Sequence, residues 1–125
     1  MDWSVNVKEI ESKHTDQHKM HSDECAQLLK HLSDTATIIA MDERGKTFPS
    51  RDFAKKFQDL QNDSRPHVQF VLGGADGLND EIRKRAQLLL SFGKQTWPHM
   101  LARIMLLEQI YRAQQILKNH PYHRD

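Results

Sequence analysis

The fold of this chain is decided by the stretch Phe70-Val71-Leu72-Gly73-Gly74-Ala75-Asp76-Gly77-Leu78. A short apolar run that ends in two glycines is typical of a buried strand followed by a tight turn. Asn79 comes directly after this stretch and is a suitable cap for a helix that extends to about Gln87. A strand, a turn and a helix in this order indicate one repeating unit of a parallel sheet.

The rest of the chain continues the same alternation of strands and helices. We expect the other strands at residues 4–10, 37–41 and 88–92, and the other helices at about 16–32, 50–62 and 98–118. Ser50 is the predicted N-cap of one helix, and Pro98 is the predicted first residue of the last. Residues 42–46 are polar and predict a turn. This order predicts an α/β fold with a mostly parallel sheet and helices on both faces.

The length and composition favour one small intracellular domain. A chain of 125 residues forms a single domain by length, and we assign residues 1–125 to it. The only cysteine, Cys25, excludes an internal disulfide and fits a reducing compartment. No apolar run reaches transmembrane length, and the N-terminus lacks the apolar core of a signal peptide. We therefore expect a cytoplasmic protein without a membrane partner.

The charge is distributed unevenly along the chain. Residues 1–82 contain 10 Lys or Arg and 15 Asp or Glu, whereas residues 83–125 contain 8 and 2, which together give the net charge of +1. A basic C-terminal third favours a polyanionic partner. The alternative is that folding mixes the two parts, so that no basic surface results.

The last predicted helix carries more apolar side chains than one buried face requires. One stripe at helical spacing contains Met100, Ile104, Leu107 and Tyr111, and it is widened by Leu101, Met105, Leu106, Ile110 and Leu117. Such a helix either contributes to a subunit interface or lies wholly inside the domain.

Two loops that follow predicted strands are candidate ligand sites, because ligands bind at the carboxyl ends of the strands in open parallel sheets. The turn that begins at Gly73 lets a ligand approach the backbone, although a plain tight turn explains it equally well. Its spacing matches neither the dinucleotide-binding fingerprint nor the phosphate loop. The loop from Phe92 to Pro98 offers backbone groups for the edge of a purine. Its aromatic residues, Phe92 and Trp97, either pack against a bound ring or cover the core, which is the simpler explanation.

The C-terminal tail, His120-Pro121-Tyr122-His123-Arg124, concentrates reactive side chains. Arginine and histidine bind phosphate, tyrosine stacks on bases, and histidine and tyrosine transfer protons; the alternative is a frayed chain end. Three further histidines, His14, His18 and His21, have the spacing of one helix face. No cysteine or second cluster completes a metal site there, so we predict a solvated polar face and no metal.

Several segments together resemble one family, in the family's order. They are Met41-Asp42-Glu43-Arg44-Gly45, the stretch from Phe70 to Leu78, Leu90-Ser91-Phe92-Gly93-Lys94-Gln95-Thr96-Trp97-Pro98-His99 and Glu108-Gln109-Ile110-Tyr111-Arg112-Ala113. The family is that of the small bacterial 23S rRNA methyltransferases that methylate N3 of pseudouridine, within the trefoil-knot (SPOUT) superfamily. The resemblance covers roughly residues 3–125.

The resemblance implies a C-terminal trefoil knot that binds S-adenosylmethionine, without a metal. The methyl donor is then expected among three loops. Their donor-binding residues are Met41 in the first, Gly73 and Gly74 in the second, whose loop runs on to Gly77, and Phe92, Gly93, Lys94, Gln95, Thr96 and Trp97 in the third.

On the substrate side, the resemblance implies a homodimer in which the tail of the partner subunit completes each site. The residues that match the family's catalytic positions are Arg112, Tyr122, His123 and Arg124, while His99 and Arg103 match positions near the cleft. The implied substrate is a pseudouridine of large-subunit rRNA in the assembled ribosome, and no DNA partner is expected. We expect Arg112 and Arg124 to stabilise the deprotonated imide, and His123 or Tyr122 to help remove the N3 proton.

The chain departs from the family's pattern in several places. Gly93 stands where the family has a serine, Trp97 is bulkier than the usual residue, and Met41 replaces a leucine. The family also has a strand and a helix before the segment that matches residues 4–10, and their absence here predicts an unpaired sheet edge. Two alternatives to an active enzyme therefore remain. One is a catalytically impaired RNA- or ribosome-binding module that retains the donor-binding knot, and the other is a nucleotide-binding regulatory domain.

Overall fold

The computed structural model describes residues 3–65, 67–74 and 76–124 of the chain. Within these residues it contains four helices and three strands. The helices are α1 (Gln17–His31), α2 (Ser50–Asn62), α3 (Asp80–Arg85) and α4 (His99–Leu117), and the strands are β1 (Thr37–Lys46), β2 (Val68–Val71) and β3 (Leu88–Leu90). Apart from the segments discussed below, the predicted ends differ from these by one or two residues, as is usual for element boundaries.

The three strands form one parallel sheet in the order β2-β1-β3. Thr37 pairs with Val68 on one side of β1, and Ile39 pairs with Leu88 on the other. Parallel neighbours need long connections, which α2 and α3 provide within the described residues. The predicted α/β class and the parallel sheet are confirmed.

Helices cover both faces of the sheet, as the alternation of elements predicts. On one face, Ile39 of β1 lies in a core shared with α2 and α4. On the other face, Ile38 and Ala40 lie in a core shared with α1 and α3. These three residues of β1 are 3%, 2% and 0% exposed, respectively. Successive side chains of a strand point to opposite faces, so the central strand supports both cores.

Side-chain caps determine where two of the helices begin. The Asp16 carboxylate accepts a hydrogen bond from the backbone N–H of Lys19 at 3.1 Å, at the start of α1. The Asn79 side chain accepts one from the N–H of Ile82 at 3.0 Å, at the start of α3. Each cap satisfies a backbone donor that has no partner inside its helix. The prediction of Asn79 as a helix cap is confirmed.

Ser50 is the first residue of α2 and not its N-cap, so that prediction was wrong. Pro49 precedes the helix as its N-cap residue and makes no side-chain capping hydrogen bond. The Ser50 hydroxyl donates instead to Oε1 of Gln109 in α4, at 2.7 Å. A contact between two helices has therefore replaced the local cap. Pro98 likewise is the N-cap of α4 and lies just outside it.

The predicted strand at residues 4–10 is absent, because this described segment has no regular structure. Val5 and Val7, which suggested the alternation, are 51% and 52% exposed. A strand needs a neighbour for its backbone groups and a surface for its apolar side chains. None of the described strands pairs with this segment. Trp3, the residue before this segment, packs against Phe57 of α2 at a ring-centroid distance of 4.7 Å.

The predicted turn at residues 42–46 was also wrong in its bounds, because β1 continues to Lys46. The register breaks inside this extension, since Met41 and Lys46 both pair with Leu90. The intervening residues therefore bulge out of the sheet. A Cβ on Gly45 would lie 2.5 Å from the carbonyl carbon of Leu89, so the bulge returns directly against the backbone of β3.

Candidate active site

The carboxyl ends of all three strands meet at one edge of the sheet. Ala40 of β1 pairs with Val71, the last residue of β2. Met41 and Lys46, which precede and follow the bulge of β1, both pair with Leu90, the last residue of β3. The loops that follow β2 and β3 therefore flank the bulge of β1. This arrangement brings the three loops that we predict to bind the donor to a common edge, although the role of each residue there stays a prediction.

The turn after β2 is closed by backbone contacts that only glycine permits. The N–H of Gly77 donates to the carbonyl oxygen of Gly74 at 3.0 Å, and Gly77 has a φ of 73°. A Cβ on Gly73 would lie 2.5 Å from the carbonyl carbon of Gly77. The two ends of the turn are therefore in direct backbone contact. Ala75, within this predicted loop, lies outside the described residues.

Helix α1 packs polar side chains against this glycine turn. Nε2 of Gln17 donates to Oδ1 of Asp76 at 2.9 Å, and Nε2 of His21 donates to the carbonyl oxygen of Gly77 at 3.2 Å. A Cβ on Gly74 would lie 2.7 Å from Oε2 of Glu24. Helical spacing places these three side chains of α1 along one face. The turn is thus supported by a helix far away in the sequence, which the pattern of residues did not predict.

The loop after β3 is held at both ends by its own side chains. The hydroxyl of Ser91 donates to the carbonyl oxygen of Gly93 at 2.7 Å and accepts from its N–H at 3.1 Å. Nε1 of Trp97 donates to the carbonyl oxygen of Phe92 at 3.4 Å. Gly93 has a φ of 117°, a conformation that side chains rarely adopt. This conformation is a physical reason for glycine at a position where the resemblance implies serine.

The middle of this loop presents its backbone to solvent. Lys94, Gln95 and Thr96 are exposed. Within the residues that the structure describes, their backbone N–H groups have no acceptor. Phe92 packs against the core shared with α2 and α4, whereas Trp97 is 38% exposed. The prediction that both aromatic residues cover the core is therefore confirmed for Phe92 and wrong for Trp97.

An ion pair that the sequence did not suggest joins the bulge of β1 to α3. Nη1 of Arg83 lies 3.3 Å from Oδ2 of Asp42, and the two side chains are 19% and 8% exposed. Arg83 also donates to the carbonyl oxygen of Leu78 and to the carboxylate of Asp80. The hydrogen bond to Asp80 is the main cause that raises the pKa of Arg83, and it lowers the pKa of Asp80. Arg83 therefore stays charged at any physiological pH.

The C-terminal tail folds back onto α4 and brings the predicted catalytic residues together. Glu108 accepts two hydrogen bonds from Arg112, at 2.8 and 3.2 Å. These hydrogen bonds raise the pKa of Arg112. Nη1 of Arg112 lies 3.0 Å from Nδ1 of His123, and its guanidinium lies 4.8 Å from the ring centre of Tyr122. Arg124 is exposed beside them. The tail is thus packed against a helix, and the alternative of a frayed end was wrong.

Within one chain, this tail cluster lies far from the donor loops. Arg112 comes 13 residues after His99, the first residue of α4. At a rise of ~1.5 Å per residue, the separation along the helix axis is roughly 20 Å. Reacting atoms in a productive complex are about 3–3.5 Å apart. The two predicted halves of the site therefore do not meet inside a single chain.

The other candidate residues are dispersed. His99 is exposed at the start of α4, and Nη1 of Arg103 lies 2.6 Å from Oε1 of Glu9. His14 and His18 line a shallow depression beside α1, away from the ring of His21, which contacts the glycine turn. In the described parts of the chain, no group of three or more ligating side chains is placed to hold a metal ion.

Helix α4 buries one side and leaves the other apolar side uncovered. Leu106 and Ile110 are 3% and 8% exposed, whereas Met100, Ile104 and Tyr111 are 51%, 61% and 48% exposed. The alternative of a wholly internal helix is wrong for this chain. Although α4 is apolar, no helix among residues 3–65, 67–74 and 76–124 has the length and hydropathy to cross a membrane.

Comparisons with known proteins agree with this arrangement. Residues 2–123 match the family model described as "Predicted SPOUT methyltransferase". The chain belongs to the SPOUT methyltransferase family. A curated relative from Rhodospirillum centenum, "Ribosomal RNA large subunit methyltransferase H", is 47% identical over 123 residues, which are 98% of this chain and 81% of the relative. Relatives of the same name from Rhodopseudomonas palustris and Allorhizobium ampelinum are 46% and 50% identical, over 96% and 82% of this chain and 76% and 64% of their own lengths.

Membership in the SPOUT family makes this chain a methyltransferase, as the resemblance of its motifs implies. The match includes the sheet edge, its loops and nearly all of the tail, because it ends at residue 123. These findings support an enzyme and not the impaired binding module or the nucleotide-binding regulatory domain.

Proposed function

We propose that this chain is an S-adenosylmethionine-dependent methyltransferase that methylates N3 of a pseudouridine in 23S rRNA. The observation that carries the proposal is the meeting of three loops at the carboxyl edge of a parallel sheet, in a member of the SPOUT family. The names of the relatives add large-subunit rRNA as the substrate. The assembled large subunit in the cytoplasm is the expected place of action, with no membrane, DNA or metal involved.

The residues at this edge fit the proposed methyl donor. Lys94, Gln95 and Thr96 are exposed residues whose backbone N–H groups have no acceptor within the described residues, so these groups are available to hydrogen-bond the edge of an adenine. The space beside Gly93 is open, because a Cβ added there would meet no atom within 4 Å. When bound, the donor supplies an electrophilic methyl group on a sulfonium. The residues that we expect to hold it are Met41, Gly73, Gly74, Phe92, Gly93, Lys94, Gln95, Thr96 and Trp97.

We further propose that the three loops form a trefoil knot, as the resemblance implies. The close return of Gly45 against Leu89 supports this proposal, since a knot needs one backbone segment to pass tightly beside another. The N–H of Ser91 also donates to the carbonyl oxygen of Lys46 at 2.9 Å. The bulge of β1 and the start of the third loop are thereby bonded to each other.

The tail supplies groups suited to an imide substrate. N3 of pseudouridine carries a proton that must leave before methylation, which puts negative charge on the base. Arg112, held by Glu108, and the exposed Arg124 are the cations that we expect to stabilise this charge. A guanidinium fixed by two hydrogen bonds to one carboxylate is already oriented before the substrate arrives.

The geometry distinguishes between the two side chains that we expect to assist proton removal. A guanidinium has only donors, so Arg112 donates to Nδ1 of His123. In the neutral ring the proton of His123 then lies on Nε2, which makes this atom a hydrogen-bond donor. We therefore assign His123 to an oxygen of the imide. We assign proton removal to Tyr122 in its phenolate form, which accepts the N3 proton and becomes the neutral phenol.

We propose a homodimer, because a single chain leaves the donor loops and the tail roughly 20 Å apart along α4. A two-fold contact through the exposed stripe of Met100, Ile104 and Tyr111 would run the two α4 helices antiparallel. The tail of one subunit then lies beside the donor loops of the other. This proposal accounts for both the separation and the uncovered apolar side of α4.

Methyl transfer to ribosomes that lack the modification tests the proposal. Radiolabelled S-adenosylmethionine should label 23S rRNA, and mass spectrometry should find the methyl group on N3 of a pseudouridine. Transfer to another base, or to no RNA despite donor binding, would contradict it.

Arg124→Ala tests the assignment of the tail. We expect a fall in turnover of at least about tenfold, with the dissociation constant of the donor unchanged, because Arg124 acts on the substrate side. Lys55→Ala removes a cation from the exposed side of α2 and serves as the control. An equal loss of turnover and donor affinity in Arg124→Ala would rule out the assignment.

A further inference from the structure

The ion pair between Arg83 and Asp42 connects two of the proposed donor loops. Asp42 directly follows Met41 at the start of the bulge in β1, and its other carboxylate oxygen accepts from the N–H of Arg44 at 2.8 Å. Leu78 ends the glycine turn, and its carbonyl oxygen accepts from the same nitrogen of Arg83 that contacts Asp42. One guanidinium therefore joins the first loop to the second through adjacent contacts.

The chemistry of arginine suits this role. The planar guanidinium group donates hydrogen bonds in several fixed directions. Arg83 therefore donates to Leu78, Asp42 and Asp80 at the same time. A lysine at the same place offers a point charge without that fixed geometry. The carboxylate of Asp42 is 8% exposed, so solvent screens this pair far less than a pair at the surface.

A second arginine on the same helix provides a contrast. Arg85 lies two positions further along α3 and pairs with Asp34 at 3.1 Å. Asp34 is 97% exposed, and within the described residues no hydrogen bond or ion pair joins this pair to either loop. Isolated surface pairs of this kind contribute little to structure. The two arginines therefore share a helix and a charge but differ in what they connect.

We propose that Arg83 is a positioning residue that fixes the glycine turn relative to the bulge of β1 and thereby sets the affinity for the methyl donor. The inference rests on the proposed function of these loops. Arg83 need not touch the donor, because its contacts hold the backbone on which Gly73 and Met41 lie. A loose turn then costs affinity, since binding must first order it.

The experiment compares wild-type protein, Arg83→Gln, Arg83→Lys and the matched control Arg85→Gln. Calorimetry measures the dissociation constant of S-adenosylmethionine, and steady-state assays on ribosomes separate kcat from the KM for the donor. Hydrogen exchange of the free proteins measures the protection of residues 73–78 and 42–46. A urea titration measures the stability of each protein, so that a general loss of folding is recognised.

We expect Arg83→Gln to raise the dissociation constant and the KM for the donor about tenfold, the order of effect of losing charge-assisted hydrogen bonds. The kcat should stay within about twofold, because the tail residues are untouched. Exchange should rise in residues 73–78 and 42–46, and Arg83→Lys should restore only part of the affinity. Arg85→Gln should match the wild type in every measurement.

Two results overturn the inference in distinguishable ways. If the wild type binds donor and Arg83→Gln binds it equally well, or if Arg85→Gln loses as much affinity, the inference fails and the proposed function stands. If the folded wild type binds no donor, the proposed function fails and the inference fails with it.

Asp42→Asn keeps the experiment decisive if Arg83→Gln does not fold. This variant removes the charge of the Asp42 side chain and keeps its shape. Arg83 keeps its hydrogen bonds to the carbonyl oxygen of Leu78 and to the carboxylate of Asp80. We expect a smaller rise in the donor dissociation constant, about threefold, with the same loss of protection. Unchanged affinity and unchanged exchange in Asp42→Asn would contradict the proposal.

Discussion

At the scale of single residues, the glycine turn requires glycine at two positions for two different reasons. Gly77 is needed for its φ of 73°, while the space around its missing Cβ is open. Gly73 is needed for space, because a Cβ there would lie 2.5 Å from backbone atoms of Gly77. A backbone neighbour cannot rotate away as a side chain can. Substitutions at the two positions should therefore have unequal effects.

We expect Gly73→Ala to lower the free energy of unfolding by about 2–3 kcal/mol, because the methyl group forces the turn open. Gly77→Asn should lower it by less than about 1 kcal/mol, since asparagine tolerates positive φ. Urea denaturation measures both. Similar small losses in the two variants would show that the ends of the turn are not in direct contact.

Cys25 provides a residue-scale prediction on pH. It is 1% exposed, and burial raises the pKa of its thiol above the ordinary 9.0. The unfolded chain therefore ionises first as the pH rises past this value, and the folded state loses stability there. Below it the thiol is neutral in both states and contributes no pH dependence.

Denaturation at several pH values tests this expectation. Above about pH 9 the free energy of unfolding should fall more steeply with pH for the wild type than for Cys25→Ala, which lacks the thiol. Only the difference in slope is compared, because the smaller side chain also changes the stability itself. Parallel slopes for the two proteins would contradict the raised pKa.

At the scale of elements, α4 contains two apolar surfaces that have different partners. The side of Leu106 and Ile110 is covered by the core, and the side of Met100 and Ile104 is not. An apolar stripe more than half exposed is unusual on a monomer and indicates an interface. The dimer proposed above uses this second surface.

Ile104→Glu should convert the dimer into a monomer. A carboxylate placed at a two-fold contact meets its own copy and cannot be buried unpaired. Light scattering should report the mass of one chain, and methyl transfer should fall at least about a hundredfold if the tail of the partner is required. Val7→Glu alters a similarly exposed aliphatic residue outside α4 and should remain a dimer. An active monomeric Ile104→Glu would reject the shared site.

The elements also show what could be predicted from the sequence. Asn79 was identified as a helix cap because the accepting side chain of Asn79 and the donating N–H of Ile82 are only three residues apart in the sequence. Residues 4–10 and the extension of β1 were misjudged because each depends on distant neighbours, the latter on Leu90. For the same reason the Arg83–Asp42 pair gave no signal along the chain. The candidate loops were found because strand ends in a parallel sheet always share one edge.

At the scale of the whole molecule, folding reduces the charge imbalance seen along the chain. Three arginines of the basic C-terminal third, Arg83, Arg85 and Arg103, pair with carboxylates of the acidic part, Asp42, Asp34 and Glu9. The two parts are therefore mixed in space, as one of the two alternatives predicted. Selection of the proposed rRNA substrate should then depend more on shape than on a strongly basic surface.

Binding to ribosomes should accordingly depend only weakly on salt. Each phosphate contact contributes a slope of about −0.7 to −0.9 in the logarithm of affinity against the logarithm of salt concentration, and we expect a total no steeper than about −3. Co-sedimentation over a series of potassium chloride concentrations measures the slope. A slope far steeper than this would indicate a basic surface that the ion pairs do not neutralise.

The position of β1 in the middle of the sheet has a consequence for biosynthesis. Both strands that pair with it, β2 and β3, come later in the chain. Ile38, Ile39 and Ala40, almost fully buried in the folded protein, therefore leave the ribosomal exit tunnel without a partner. Long-range parallel pairing is slow, and an unpaired apolar segment is prone to aggregate. The nascent chain thus has an interval, ending only after Leu90 has emerged, in which a holdase chaperone should raise the yield of folded enzyme.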